Sequence, residues 1–390
     1  MDFTLGFRST EHPDHVWKLN KGLYGLKQAG NLWYKMLVNI LTEDLGLKQL
    51  YKDRCVFIQT DPNDYLLLLV YVDDILIMSE KPESRNRVVE RMEREFGFVY
   101  KGEINQFLGM EVNFDPIRGY AMSQKLLIKS ILEKTQMTGC NTIKTPLVPK
   151  TNIAPTGDED IPINSTEYRE VIGMLSYLAT HTRPDIAHSV SKLSQFQVSP
   201  CKRHMDSAKH LIRYVKGTMD TKLWLNGSQG LNLKVYTDAS YATNLHDRSS
   251  TTGYVVMLGK AVVECGSRKQ TNTKSSTAKS ELVAAHKGHK HLRYFKLFLG
   301  ELAVPGLVVE TPILYCDNKS VKDMCSEKNL TVSQEMRYME IKYQETLQQF
   351  TKGVFLLEFV GTTDQIADGL TKTLPVPGCE KMRRELNLLE

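Results

Sequence analysis

No apolar stretch in this chain of 390 residues is long enough to cross a bilayer. The longest, Tyr65 to Met78, is interrupted by Asp73 and Asp74. The opening Met1-Asp2-Phe3-Thr4 has no basic cluster followed by an apolar segment, so the expectation is an intracellular protein, cytoplasmic or nuclear, with no membrane partner. Cysteine occurs 7 times but never with CxxC or Cys/His ligand spacing, which argues against a zinc module and a disulfide framework. Charge is nearly balanced: 50 Lys and Arg against 45 Asp and Glu leave +5, which permits a polyanionic partner without demanding one. Internal repeats and low-complexity tracts are absent.

What is present is a globular composition, 41% hydrophobic and 24% charged, at a length that suggests two or three domains. Four Pro and a Gly between Thr145 and Pro162 break every periodic pattern and mark a linker. Before it, apolar strands (Tyr65 to Val72, Ile75 to Ser79, Phe107 to Phe114) mix with helical patterns at Ala29 to Leu45 and Ser84 to Phe96. After it, Ser165 to Gln197 and His204 to Lys216 carry apolar residues at helical spacing, Val171, Leu175 and Leu178, then Leu211, Ile212 and Val215. From Leu233 the predicted order is three strands (233–237, 253–258, 261–266), a long helix (276–299), a strand (313–316), helices at 320–326 and 332–350, a strand (354–360) and a helix (363–372). The whole reads as an α+β and α/β multidomain chain: 1–148, a linker and helical connection at 149–229, a mixed sheet with flanking helices at 230–375, and a C-terminal tail at 376–390.

Two groups of acids stand out. Ionised carboxylates are not left in hydrocarbon, so Asp73 and Asp74, set between apolar runs, lie at a solvated hairpin turn or hold metal cations. Asp238 and Asp317 each end a predicted strand, Glu281 flanks the apolar stripe in the first turns of the long helix, and Asp368 sits in the last helix. Each alone is compatible with a cap or a first-turn acid. Together they suit divalent cations that serve phosphodiester hydrolysis. Arg268, Lys269, Lys274 and Lys279, with no acid among them, lead into the long helix, where a phosphate backbone would dock or a solvated loop would suffice.

These motifs, with several others, resemble the reverse transcriptase and ribonuclease H portion of copia-type LTR retrotransposon Pol polyproteins over nearly the whole chain. Lys21-Gly22-Leu23-Tyr24-Gly25-Leu26-Lys27-Gln28-Ala29, Tyr71-Val72-Asp73-Asp74 and Phe107-Leu108-Gly109-Met110-Glu111 resemble polymerase segments. Arg183-Pro184-Asp185-Ile186-Ala187 and Arg213-Tyr214-Val215-Lys216-Gly217-Thr218 resemble connector segments. Tyr236-Thr237-Asp238-Ala239-Ser240, Asp247-Arg248-Ser249-Ser250-Thr251-Thr252-Gly253-Tyr254, Ser276-Thr277-Ala278-Lys279-Ser280-Glu281, Tyr315-Cys316-Asp317-Asn318 and Ala367-Asp368-Gly369-Leu370-Thr371-Lys372 fall in the order of ribonuclease H landmarks.

The resemblance implies a polymerase palm and thumb part, a helical connection and a ribonuclease H-like mixed sheet. It makes Asp73 and Asp74 two of three polymerase carboxylates, and Asp238, Glu281, Asp317 and Asp368 the nuclease acids, all toward Mg²⁺ or Mn²⁺. Arg268, Lys269, Lys274, Lys279 and Gln28 would contact nucleic acid, an RNA–DNA hybrid above all, and other Pol or Gag products would be partners. The family's first polymerase Asp segment has no counterpart in Met1 to Asn20. The expectation is therefore a truncated polymerase domain without activity and a nuclease that retains it. Two other readings stay open: an element relic that only binds nucleic acid, and a fragment of an active full-length Pol. No histidine stands close to Asp368 in the sequence, so the histidine that assists some ribonucleases H is not expected.

Overall fold

The computed structural model describes residues 12, 16, 18–23, 25–61, 63–149, 153–227, 230–242, 247–270, 276–308, 310–324 and 341–390, without the side chain at 342. Contacts divide the chain into two units, Met1–Lys101 with Glu301–Gly306, and Gly102–Gly300 with Leu307–Glu390.

In the first unit, α1 (Ala29–Asn39) is followed by four antiparallel strands in spatial order β1 (Lys48–Gln49), β2 (Val56–Asp61), β3 (Asp64–Tyr71) and β4 (Asp74–Ser79), then by α2 (Pro82–Phe96). Leu66, Leu68 and Val70 alternate onto one face of β3 and pack on Leu37 of α1 and on Val88 and Met92 of α2. A fully buried side chain of this size contributes about 1.5–3 kcal/mol, so this shared face holds the two helices on the sheet. The helix expected to run to Leu45 widens after Asn39 into a π turn, Ile40–Asp44. α2 stops where Gly97, at φ 67°, turns its amide back to the Glu93 carbonyl at 2.9 Å.

The second unit opens with β5 (Gln106–Phe107), β6 (Met110–Asp115) and β7 (Gly119–Ser123). The single strand expected from Phe107 to Phe114 is broken. Leu108 (φ 48°) and Gly109 (φ 70°) reverse the chain so that Phe107 pairs with Met110. Four helices follow, α3 (Lys125–Lys134), α4 (Ser165–His181), α5 (Ala187–Leu193) and α6 (Lys202–Gly217). The pattern expected as one helix to Gln197 divides at Pro184, whose ring fits the first position of a 3₁₀ turn, Pro184–Ile186. The six apolar positions read from the sequence, Val171, Leu175, Leu178, Leu211, Ile212 and Val215, are all buried in one cluster with Ile128 and Ile131.

Between these helices lies a buried ion pair. Arg183, its side chain 1% exposed, donates to both Asp185 oxygens at 2.9 and 2.7 Å and to the Thr218 carbonyl and hydroxyl at 3.0 and 2.6 Å. The Tyr214 hydroxyl donates to Asp185 at 2.7 Å and accepts from Arg383 at 2.9 Å.

Then come β8 (Lys222–Leu225), β9 (Leu233–Ser240), β10 (Thr251–Leu258), β11 (Ala261–Lys269), α7 (Thr277–Leu302), β12 (Ile313–Cys316), α8 (Lys319–Met324), α9 (Ile341–Thr351) and β13 (Leu356–Phe359). The five strands β11-β10-β9-β12-β13 form a mixed sheet in that order: the first three are antiparallel, β12 runs parallel to β9, and β13 parallel to β12. Parallel neighbours need a crossover, which α7 supplies before β12 and α8 with α9 before β13. The helix expected at 363–372 is two short 3₁₀ turns, Thr362–Asp364 and Ile366–Leu370, because extended Gln365 (ψ 95°) separates them and caps the Ala367 amide with its own side chain.

Residues 376–390, set apart as a tail by the sequence reading, are structured: α10 (Val376–Glu385) buries Cys379 and Met382, and β14 (Leu388–Leu389) pairs with β8. The resulting sheet, β14-β8-β7-β6-β5, joins segments more than 160 residues apart.

Candidate active site

β9 and β12 run parallel with Tyr236 opposite Tyr315, their rings stacked 4.7 Å apart. Two residues further along each chain come Asp238 and Asp317, so parallel register carries both carboxylates to the same end of the sheet. Glu281 arrives from α7. That helix lies close on the sheet because Gly288 has no side chain: a Cβ there would stand 2.5 Å from Thr237 Cγ2 and 2.8 Å from Leu314 Cδ1. One ligand oxygen from each of Asp238, Glu281 and Asp317 lies within 4.8 Å of the others.

Burial and mutual repulsion disfavour the charged forms. Glu281, 5% exposed, is pushed up to about 9 by burial and then by Asp238 and Asp317, against one favourable bond from the Ala239 amide. Asp238, 6% exposed, rises to about 6 for the same reasons, opposed by a hydrogen bond from the Thr371 hydroxyl. Asp317, half-buried, is raised by burial and by Asp368, and accepts from Thr362 at 3.5 Å. Among the described residues Glu281 Oε2 has no hydrogen-bond partner. An orphaned buried oxygen beside two other carboxylates is the surrounding that a hard divalent cation satisfies, and an all-carboxylate donor set suits Mg²⁺ or Mn²⁺.

Asp368 stands on the 3₁₀ turn Ile366–Leu370, which approaches β10 where Gly253 leaves room: a Cβ there would lie 2.8 Å from Leu370 Cβ and 2.9 Å from the Ala367 carbonyl oxygen. Its charge raises Asp238, Asp317 and Glu281, yet it falls outside the three-oxygen group. Its own partner is Lys372, Nζ to Oδ2 2.7 Å.

Of the basic residues, Arg268 and Lys269 are exposed at the end of β11, and Lys269 pairs with Asp247 at 2.5 Å. Lys279 is exposed in the first turns of α7, its amide held by Ser276 Oγ at 3.3 Å; Lys274 lies outside the described residues.

In the first unit Tyr71 pairs with Asp74 across a two-residue turn, so Asp73 and Asp74 stand exposed at the tip of the β3–β4 hairpin. Val72 takes φ 52°, which a β-branched side chain rarely adopts and which stores strain of order 1–3 kcal/mol. Among the described residues no third carboxylate joins the pair. Gln28 is exposed at the start of α1.

The motif Ala367 to Lys372 was read for its aspartate alone. Thr371 and Lys372, a hydroxyl and an ammonium three and four residues on, are the further groups it brings to the acids. A histidine distant in sequence also stands behind this segment. His188 on α5 is 3% exposed, bonds the Leu370 carbonyl, faces Ser267 Oγ at 3.3 Å and is held down to about 3, first by burial and then by Lys192. Pairing through the fold rather than along the chain hid it from the sequence reading.

Residues 1–149 match the family model described as reverse transcriptase (RNA-dependent DNA polymerase). The chain is 32% identical over 369 residues to the retrovirus-related Pol polyprotein from transposon RE1 of Arabidopsis thaliana, covering 95% of this chain and 25% of that one. It is 31% identical over 267 residues to the putative transposon Ty5-1 protein of Saccharomyces cerevisiae, covering 68% of this chain and 85% of that one. The chain thus spans about a quarter of the plant polyproteins it matches. Among solved structures, one of LC11-RNase H1 in complex with an RNA/DNA hybrid aligns with 36% of this chain and 94% of that one, at 13% identity and a TM-score of 0.27.

Proposed function

The chain belongs to the copia-type retrotransposon Pol family, as a portion that carries reverse transcriptase and ribonuclease H segments, and from that premise we propose that its second unit cleaves the RNA strand of RNA–DNA hybrids with a divalent metal. One observation carries the reading: Asp238, Glu281 and Asp317 converge within 4.8 Å with a buried Glu281 oxygen left unpartnered. Mg²⁺ or Mn²⁺ bound there would supply Lewis acidity toward a phosphodiester.

The protein's own groups prepare that place. The Thr371 hydroxyl and the Ala239 amide fix the carboxylates of Asp238 and Glu281, and the paired strand ends hold Asp317 beside them. Rigid support of this kind matters because a displacement of about 1 Å in a reacting group costs rate heavily. Arg268 and Lys279 supply positive charge for the phosphate backbone, and the choice of the RNA strand rests on 2′-hydroxyl contacts and duplex shape. We assign no polymerase activity to the first unit: Asp73 and Asp74 have no third carboxylate among the described residues.

The test uses purified chain, a labelled hybrid, and Mg²⁺ or Mn²⁺. RNA cleavage that is lost in Asp238→Asn and kept in Asp73→Asn is expected. Salt-sensitive hybrid binding without cleavage in either metal overturns the nuclease reading and leaves a nucleic-acid-binding relic.

A further inference from the structure

Lys372 is a cation already seated at the candidate metal centre. Its Nζ lies 2.7 Å from Asp368 Oδ2, and its charge is felt by Asp238 and Asp317 as well. The backbone keeps it there: the amides of Thr371 and Lys372 both return to the Asp368 carbonyl, at 3.1 and 3.2 Å, and the Thr371 hydroxyl is anchored on Asp238. The four acids are therefore unequal. Asp238, Glu281 and Asp317 face one another and, among the described residues, none of them has an ion-pair partner, whereas Asp368 is neutralised by a side chain of its own segment.

The consequence is one of charge. A divalent ion among the first three carboxylates, once it has displaced the Glu281 proton, leaves one net negative charge there, and the Asp368–Lys372 pair adds none. A second divalent ion would meet little attraction while the ammonium stays in place. Lys372 is 46% accessible and Asp368 18%, so the ammonium reaches solvent and can leave the carboxylate without crossing the interior. Resting on the metal-dependent reading above, we infer that Lys372 is a positioning residue that competes with a second divalent cation for Asp368, so that the centre takes its first ion freely and its second only when Lys372 is displaced.

Calorimetric titration of the full chain with Mn²⁺ tests this without reference to activity. Wild type is expected to take one ion tightly and a second weakly. Lys372→Met strengthens the second about fivefold or more and leaves the first unchanged; Lys372→Arg, which keeps the charge, stays close to wild type. Asp368→Asn weakens the second ion whether or not Lys372 is present. A Lys372→Met titration that overlays wild type, or a second ion that weakens, overturns the inference while the metal centre stands. Failure of wild type to bind any Mn²⁺ overturns the metal centre itself, a separate result.

Discussion

Replacing Asp185 by Ala should be among the most damaging single changes available to the second unit. The Arg183 guanidinium is buried to 1% exposure and makes four hydrogen bonds, two to Asp185 and two to Thr218. The variant deletes the first two and leaves a positive charge in the interior without its counter-ion. It also strips Tyr214 of its acceptor and removes a buried anion that interacts with Arg383. Breaking a buried pair from one side costs about 3–5 kcal/mol. For a unit of this size that lowers the melting temperature by roughly 2 °C per kcal/mol, a fall of about 6–10 °C. Thermal and urea unfolding followed by far-ultraviolet circular dichroism read it. Arg183→Met combined with Asp185→Leu, which removes both charges, should recover part of the loss. A single variant within about 1 kcal/mol of wild type, or a double variant as unstable as the sum of both single changes, refutes the argument that an uncompensated charge is the cause.

Three further outcomes are expected. Glu281→Gln removes the cost of burying and protonating a carboxyl group at the acid cluster, so it should melt higher than wild type in chelator yet forfeit the added stability, about 2.7 kcal/mol at a hundredfold excess over Kd, that Mg²⁺ or Mn²⁺ gives wild type; differential scanning fluorimetry with and without metal decides. His188 is neutral when folded, with a pKa lowered from 6.5 to about 3. The unfolded chain therefore takes up a proton that the folded one refuses, and the stability His188 contributes, full above pH 6.5, falls as pH drops toward 3. At pH 5 the loss is about 2 kcal/mol, and urea midpoints at pH 7.5 and pH 5 should show a slope flattened by that amount in His188→Gln. Val72→Gly removes a β-branched side chain from positive φ, and should raise the urea midpoint of the first unit by an amount corresponding to about 1 kcal/mol, with unchanged stability counting against strain at that turn.

How far the chain could be read in advance depended on what kind of signal each element carries. The apolar run through Leu66, Leu68 and Val70 and the helical spacing Val171, Leu175, Leu178 are local, and the structure buries all six. The convergence of Asp238 and Asp317 was legible because strand ends are local too, and only their parallel register had to come from the fold. What escaped was information of other kinds. Leu108 gave no warning of a positive φ, because a leucine inside an apolar run reads as strand. β8 and β14 have four and two residues, too few for a period, and are defined by their partners, β8 by β7 and β14, and β14 by β8. Arg183 and Asp185 stood in the sequence only as part of a connector motif, and their burial as an ion pair comes from α4, α5 and α6 closing over them. Lys372 and Asp368 are only four residues apart, so what the sequence withheld was the approach of that segment to Asp238 and Asp317.

The pairing of β14 with β8 also sets an order in time. Leu225 leaves the ribosome roughly 160 residues before Leu389 does, which at 5–20 residues per second is about 8–30 s of synthesis. Throughout that interval one edge of β8 has no strand beside it, and Leu223, buried in the finished protein, lacks its neighbours Leu386 and Leu388. The nascent chain thus carries an open, apolar sheet edge for all of the time in which β9 to β13 are being made. A passing strand from another nascent copy would find that edge first, so translation rate and chaperone supply, rather than final stability alone, govern how much of this protein reaches its folded state.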